Sequence, residues 1–291
     1  MTIPKQEDAT KKRSQLAEVW RRLRKNKLGV LGLIVASTVI LVAVFATRLV
    51  PYDPFTQDVA NRFQPPGAAH WFGTDNYGRD ILSRLIIGSR ISLMVGLVST
   101  TISSALGILL GACAGYYGGR TDNVVMRTLD VFMALPNMIL AIAIAAALGP
   151  GVTSAMIAVG VAGIPRMART ARAPVMMIRN QEFVEAAKSI NARTPRIILR
   201  HVLPNAFAPI IVQITFAIAQ AIITASGLSF LGMGVQPPAP EWGAMLSSGR
   251  EYLRDYWWVT TFPGLVIMLT VFSFNILGDG LRDALDPRLK N

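Results

Sequence analysis

Residues 182–205 read EFVEAAKSINARTPRIILRHVLPN. Six charged side chains stand in this stretch, Glu182, Glu185, Lys188, Arg193, Arg196 and Arg200, whereas residues 131–165 before it and 202–240 at its end carry none. Phe183, Val184, Ala187 and Ile190 share one face of a helix, with Glu182, Glu185 and Lys188 opposite. Asn191 tolerates left-handed backbone and is placed to end that helix. Thr194 and Pro195 read as an N-cap and first helical residue, opening a second short helix that Pro204 closes, with Ile197, Ile198 and Val202 on its apolar face. The spacing predicts two short helices and a tight turn, a charged knob between greasy runs.

The chain around it is unlike a soluble domain. Of its 291 residues 52% are hydrophobic and 16% charged, with mean hydropathy +0.43, against about 25% charged in ordinary globular proteins. The single cysteine, Cys113, lies in an apolar run, which excludes a disulfide framework and a cysteine metal site. A polar lead of 27 residues precedes the first apolar run, which is longer than a signal-peptide core and has no small-residue cleavage site, so a retained segment is expected.

A membrane-crossing helix needs about 20 mostly apolar residues. Residues 28–47 and 91–119 each supply one span. The charge-free run 131–165 is too long for one helix and is divided by Gly149-Pro150-Gly151 into a third and a fourth. The first two-thirds of 202–240 form a fifth, and residues 256–278 a sixth. An even number puts both ends on one side. With the N-terminus cytoplasmic, inner segments hold 22 Lys and Arg and outer ones 7, while acids divide 10 and 7, so the whole +12 net charge faces the cytoplasm. The basic balance therefore reports topology and contact with anionic lipid, and argues against nucleic-acid binding.

The organisation expected is a basic N-terminus at 1–27, a first transmembrane helix at 28–50, an extracytoplasmic loop at 51–89, a five-helix transmembrane domain at 90–280 containing the knob at about 179–204, and a cytoplasmic tail at 281–291. Leu16, Val19, Trp20 and Leu23 recur at helical spacing among Arg21, Arg22, Arg24, Lys25 and Lys27, the pattern of an amphipathic helix lying in the interface.

Glu185-Ala186-Ala187, followed by His201-Val202-Leu203-Pro204-Asn205, resembles the EAA loop of ABC-importer permeases. FGTDNYGRDILSRLIIGSRISL (72–93), LGMGVQPPAPEWGAML (231–246) and NILGDGLRDALDPRLK (275–290) are similar to segments of the dipeptide/oligopeptide branch, which also holds nickel and glutathione importers, and to its C-type permease. The resemblance covers nearly the whole chain. It implies an all-α, six-helix type I importer permease whose knob is the coupling helix, seated in a cleft of an ATPase subunit. Residues so implicated are Glu182, Glu185, Ala186, Ala187, Lys188, Asn191 (where the family has glycine), Arg193, Arg196, Arg200 and His201. It also implies a sister permease in a heterodimer, two cytoplasmic ATPases that use ATP and Mg, an extracytoplasmic solute-binding protein, and a place in the bacterial inner membrane.

The residues offer this chain no chemistry of its own. There is no G-x-x-x-x-G-K-[ST], no H-E-x-x-H, and only two histidines, His70 and His201, expected on opposite sides. No cofactor or metal is expected. Asp75, Arg79, Asp80 and Arg84 suggest a helix cap with an Asp80–Arg84 pair one turn apart, or a docking surface for the binding protein. Pro237, Pro238, Pro240, Glu241 and Trp242 form a stiff outer loop that could meet the same partner or close the pore. Asp130 is expected to pair with Arg127, and Gly107, Gly111, Gly115 and the alanines of 141–147 to let helices pack closely. An ion-coupled carrier would need charged or broken-helix sites near the midplane, and a membrane hydrolase a buried nucleophile; neither stands out. The expected role is a permease subunit importing di- or oligopeptides, with nickel or glutathione as alternative solutes.

Overall fold

A computed structural model describes residues 15–285. Within them the fold is helical, with an isolated bridge between Thr74 and Asp80 in place of any strand. Helix α1 is Gln15–Leu23, α2 Lys27–Val44 and α3 Ala46–Leu49; an irregular loop then leads to α4, Ile81–Tyr117. Next come α5 (Gly119–Met133), α6 (Asn137–Leu148) and α7 (Val152–Ile178), then α8 (Glu182–Ser189) and α9 (Thr194–Ile197). Helices α10 (Leu203–Phe230), α11 (Trp242–Gly249) and α12 (Trp258–Leu285) complete the chain. The first 14 residues, and with them part of the basic N-terminus, lie outside the described residues, as do the last six.

Four helices are long and apolar enough to cross a bilayer: α2, α4, the α9–α10 rod and α12. Helices α5 and α6 count as a fifth span if the pair, bent by 85°, is taken as one. Helix α7 has the length, 27 residues, but carries Arg166, Arg169 and Arg172 in its second half.

Helix α4 is held against α7 along most of its length by small residues. Gly107, Gly111 and Gly115 meet Met167, Ala168 and Val175, so close that a Cβ at Gly111 would lie 2.3 Å from the Ala168 carbonyl oxygen. The spacing of these glycines foretold such packing. Helix α4 starts at Ile81, nine residues before Arg90, where charge counting had begun it. Asp80 caps it, accepting from the Ser83 amide at 2.7 Å, and Arg84 is buried inside it.

The loop from residue 50 to 80 is pinned by aromatic rings to the start of α12 and the residues just before it. Phe63 stacks on Tyr256 and Phe72 on Phe262, with centroids 4.0 and 4.1 Å apart, and the Trp258 indole donates to the Thr74 carbonyl at 3.3 Å.

Candidate functional site

Helix α8 packs Val184 and Ala187 against Ala112 of α4, Ala171 and Val175 of α7, and Ile197, Val202 and Ala206 that follow it. The knob is thus a satellite core bolted to the ends of three long helices. Its turn is a Schellman closure: the Ala192 amide donates to the Ala187 carbonyl at 3.2 Å and the Asn191 amide to that of Lys188 at 2.9 Å. Asn191 sits at φ 57°, the left-handed conformation its sequence position called for. Asn191→Gly should therefore leave thermal stability unchanged or slightly raised. Asn191→Val should cost about 1–2 kcal/mol of local stability and speed proteolytic cleavage of the knob; equal cleavage of the valine variant and the parent would rule this out.

Three sequence-based details are corrected. The second knob helix does not stop at Pro204. Residues 194–230 form one continuous helix, with a π-turn at Ile198–Val202 that absorbs the missing proline amide. Its N-cap is Arg193, and Thr194 is already helical. Phe183 and Ile190 are not on the packed face: they are 43% and 80% exposed. Helix α8 has two apolar stripes about 100° apart, and Phe183, Ala186 and Ile190 form the outward one. Beside it stand the exposed side chains of Glu182, Glu185, Lys188, Arg193, Arg196 and Arg200, with His201 half-buried. The Lys188 ammonium lies 5.8 Å from the centre of the Tyr116 ring.

An arginine ladder, unforeseen in this form, binds α7 to α5 and to the end of α4. Arg169 pairs with Asp130, so Asp130 does not rely on Arg127. Arg172 grips both oxygens of Asp122 and, through that hydrogen bond, holds this carboxyl below its ordinary range. Arg179 donates to the Gly115 and Tyr116 carbonyls at 3.1 and 3.2 Å.

Between α4, α6, α7 and α10 lies a cavity of about 420 Å³. Its polar lining is Ser99, Ser103, Asn137, Arg166, Gln213, Gln220 and Thr224, set among apolar residues such as Phe132, Leu140, Val159 and Phe216. Sequence reading passed over these residues. The available signal was polar side chains at helical repeats inside apolar runs, Ser99 with Ser103 and Gln213 with Gln220.

The outer-loop candidates are framework groups. Asp75 (6% exposed) bonds the Arg79 guanidinium at 2.7 Å and lies 3.6 Å from that of Arg84, so Arg84 pairs with Asp75 and not with Asp80. Asp80 also meets Nδ1 of His70 at 2.9 Å. Glu241, 2% exposed, caps α11 by accepting from the Gly243 and Ala244 amides at 3.0 and 2.9 Å. Trp242 is wholly buried and donates to the Leu85 carbonyl at 3.1 Å. Of the residues expected at a docking surface or outer loop, Pro237 and Pro238 are exposed, whereas Asp75, Arg79, Asp80, Arg84, Pro240, Glu241 and Trp242 are buried.

A bundle of long apolar helices around a polar-lined cavity, with a folded knob at its end, defines a membrane permease. Residues 107–291 match the family described as binding-protein-dependent transport system inner membrane component, and residues 14–66 the N-terminal TM domain of oligopeptide transport permease C. The chain belongs to this family, and is a multi-pass transport subunit of an ABC importer rather than a catalyst. It is 45% identical over 288 residues to a dipeptide transport system permease, DppC, of Alkalihalophilus pseudofirmus, covering 99% of this chain and 95% of that one. It is 46% identical over 284 residues to a di/tripeptide permease of Pseudomonas aeruginosa (96% and 94% covered), and 45% over 274 to the glutathione permease GsiD of Escherichia coli (94% and 90%). The fold is shared with an inward-facing structure of the MetNI methionine ABC transporter, with TM-score 0.57 and 18% identity over 71% of this chain and 98% of that one.

Proposed function

We propose that this chain is the C-type permease subunit of an importer of di- and oligopeptides. The observation that carries this is the near full-length identity with a dipeptide and a di/tripeptide permease. A second reading, glutathione, rests on the similarity to GsiD and concerns the same peptide-like chemistry. In this reading the chain crosses the bacterial inner membrane six times, with both termini in the cytoplasm. Helices α6 and α7 make the third and fourth crossings; α6 is short because α5 turns away just before Pro136. Helix α1 lies in the interface: Leu23 is buried against Gly29 and Gly280 while Trp20 stays exposed, placed to reach the headgroups.

The working assembly is a heterodimer with a sister permease, two cytoplasmic ATPases that bind ATP and Mg, and an extracytoplasmic solute-binding protein. The exposed stripe Phe183–Ala186–Ile190, flanked by Glu185 and the arginines, offers an apolar ridge with a charged rim to an ATPase cleft. Closure of the ATPases on ATP drags the knob, and its shared core with α4, α7 and α10 moves the bundle between inward-open and outward-open states.

Tagged protein is expected to co-purify with the sister permease and ATPases. The purified complex in proteoliposomes should take up a dipeptide only when ATP and the loaded binding protein are present. Transport by the chain alone under an ion gradient would end this reading. For topology, a cysteine at position 238 should label from outside intact cells, and one at 193 only after permeabilisation; the reverse order would invert the orientation.

A further inference from the structure

We infer that Arg166 anchors the carboxylate end of the solute as it passes through the cavity, a role that rests on the importer reading above. Helix α7 carries arginines at 166, 169 and 172, and Arg179 is its C-cap. Three of their side chains are satisfied: Arg169 by Asp130, Arg172 by Asp122, and Arg179 by two backbone carbonyls. The guanidinium of Arg166 makes no ion pair or hydrogen bond among the described residues. It is exposed, and it lines the cavity. The ladder thus has two carboxylates for three successive arginines, and the one left over is the one that faces the hollow.

The company it keeps decides what it can bind. Asn137, Gln213, Gln220, Ser99 and Ser103 are neutral, and the described lining contains no Asp, Glu, Lys or His. Arg166 therefore sets the sign of this chain's share of the cavity, in a setting where apolar walls weaken dielectric screening. A planar guanidinium matches a carboxylate in a two-point contact, and the amides around it can meet peptide groups. A bare divalent cation or an ammonium end would be repelled by the same group. Because the site is open and single-charged, the hold is brief enough to permit release. The class selected is a solute ending in a carboxylate, as peptides and glutathione do.

The test uses the assembled importer purified through this chain. In a Cys113→Ser background, Gln220→Cys reports the cavity through its rates of modification by a sulfonate-bearing and a trimethylammonium-bearing methanethiosulfonate. Adding Arg166→Gln should lower the anion-to-cation rate ratio by about fivefold, and Arg166→Lys should preserve it. In the otherwise native importer, Arg166→Gln should also reduce dipeptide uptake per ATP hydrolysed by about threefold or more. An unchanged rate ratio would overturn the assignment of Arg166 to the cavity field. A changed ratio with uptake per ATP equal to the parent would overturn its role as a solute anchor. Absence of ATP-driven uptake in the parent would instead sink the importer reading, while the labelling arm would still judge Arg166.

Discussion

Gly111→Leu is expected to abolish accumulation of stable protein, or to lower its Tm in detergent by roughly 5 °C or more. A Cβ there would stand 2.3 Å from the Ala168 carbonyl oxygen and 3.0 Å from the Ala171 Cβ. The obstructing oxygen belongs to backbone in the middle of α7, so it cannot swing aside as a flexible side chain would. Helices α4 and α7 must then separate, and Gly107 and Gly115 one turn away on each side lose their own close contacts. The damage spreads to the knob, because Ala112 and Ala171 belong to the core that seats Val184. Gly264→Ala is the matched control: its Cβ would meet only Leu246, at an ordinary 3.7 Å. Wild-type Tm and yield for Gly111→Leu would refute the packing account.

Glu185→Lys is expected to give a folded, membrane-inserted protein whose importer is uncoupled. Glu185 is exposed on the knob, and among the described residues its carboxylate makes no ion pair, so charge reversal there breaks no side-chain pair and costs the fold only the favourable place of an acid in the first turn of α8, about 0.3–1 kcal/mol. A charge-assisted bond to a partner contributes about 1.5–3 kcal/mol, so reversing it should weaken ATPase association or stimulation by about tenfold to a hundredfold. Val184→Asp should behave differently, since Val184 is fully buried: it puts an unpaired charge into the knob's core and should lower the yield of the chain itself. Normal substrate-stimulated ATP turnover with Glu185→Lys would remove the coupling role from this residue.

These contrasts show which features are legible in a linear sequence. Asn191 and the glycines of α4 could be read because their roles depend on backbone conformation or on missing side-chain volume, both local properties. Most of the spans were legible for a similar reason, since a run without charge needs no partner to be apolar. The burial of Arg84 was not, because a charge looks like a surface residue until Asp75, nine positions earlier, is seen folded back on it. Nor could the wheel of α8 reveal which apolar stripe faces inward; that is settled by Ala171, Val175 and Val202 from other helices. Glu241 and Trp242, beside a run of prolines, looked like an exposed tip. They are buried because Ser92 and Leu85 of α4 provide the polar partners they need. The cavity is wholly a product of tertiary structure, and no window of sequence contains it.

The π-turn at Ile198–Val202 has a mechanical consequence. It lets the chain pass Pro204 without breaking the helix, so residues 194–230 make a single strut of about 55 Å, longer than a bilayer core is thick. One end of the strut is part of the knob; the other touches Met138 through Gly227 and Gly243 through Ser226. In the importer proposed above, a displacement of the knob is therefore handed to the far end of α10 along one helix, with no loop in between.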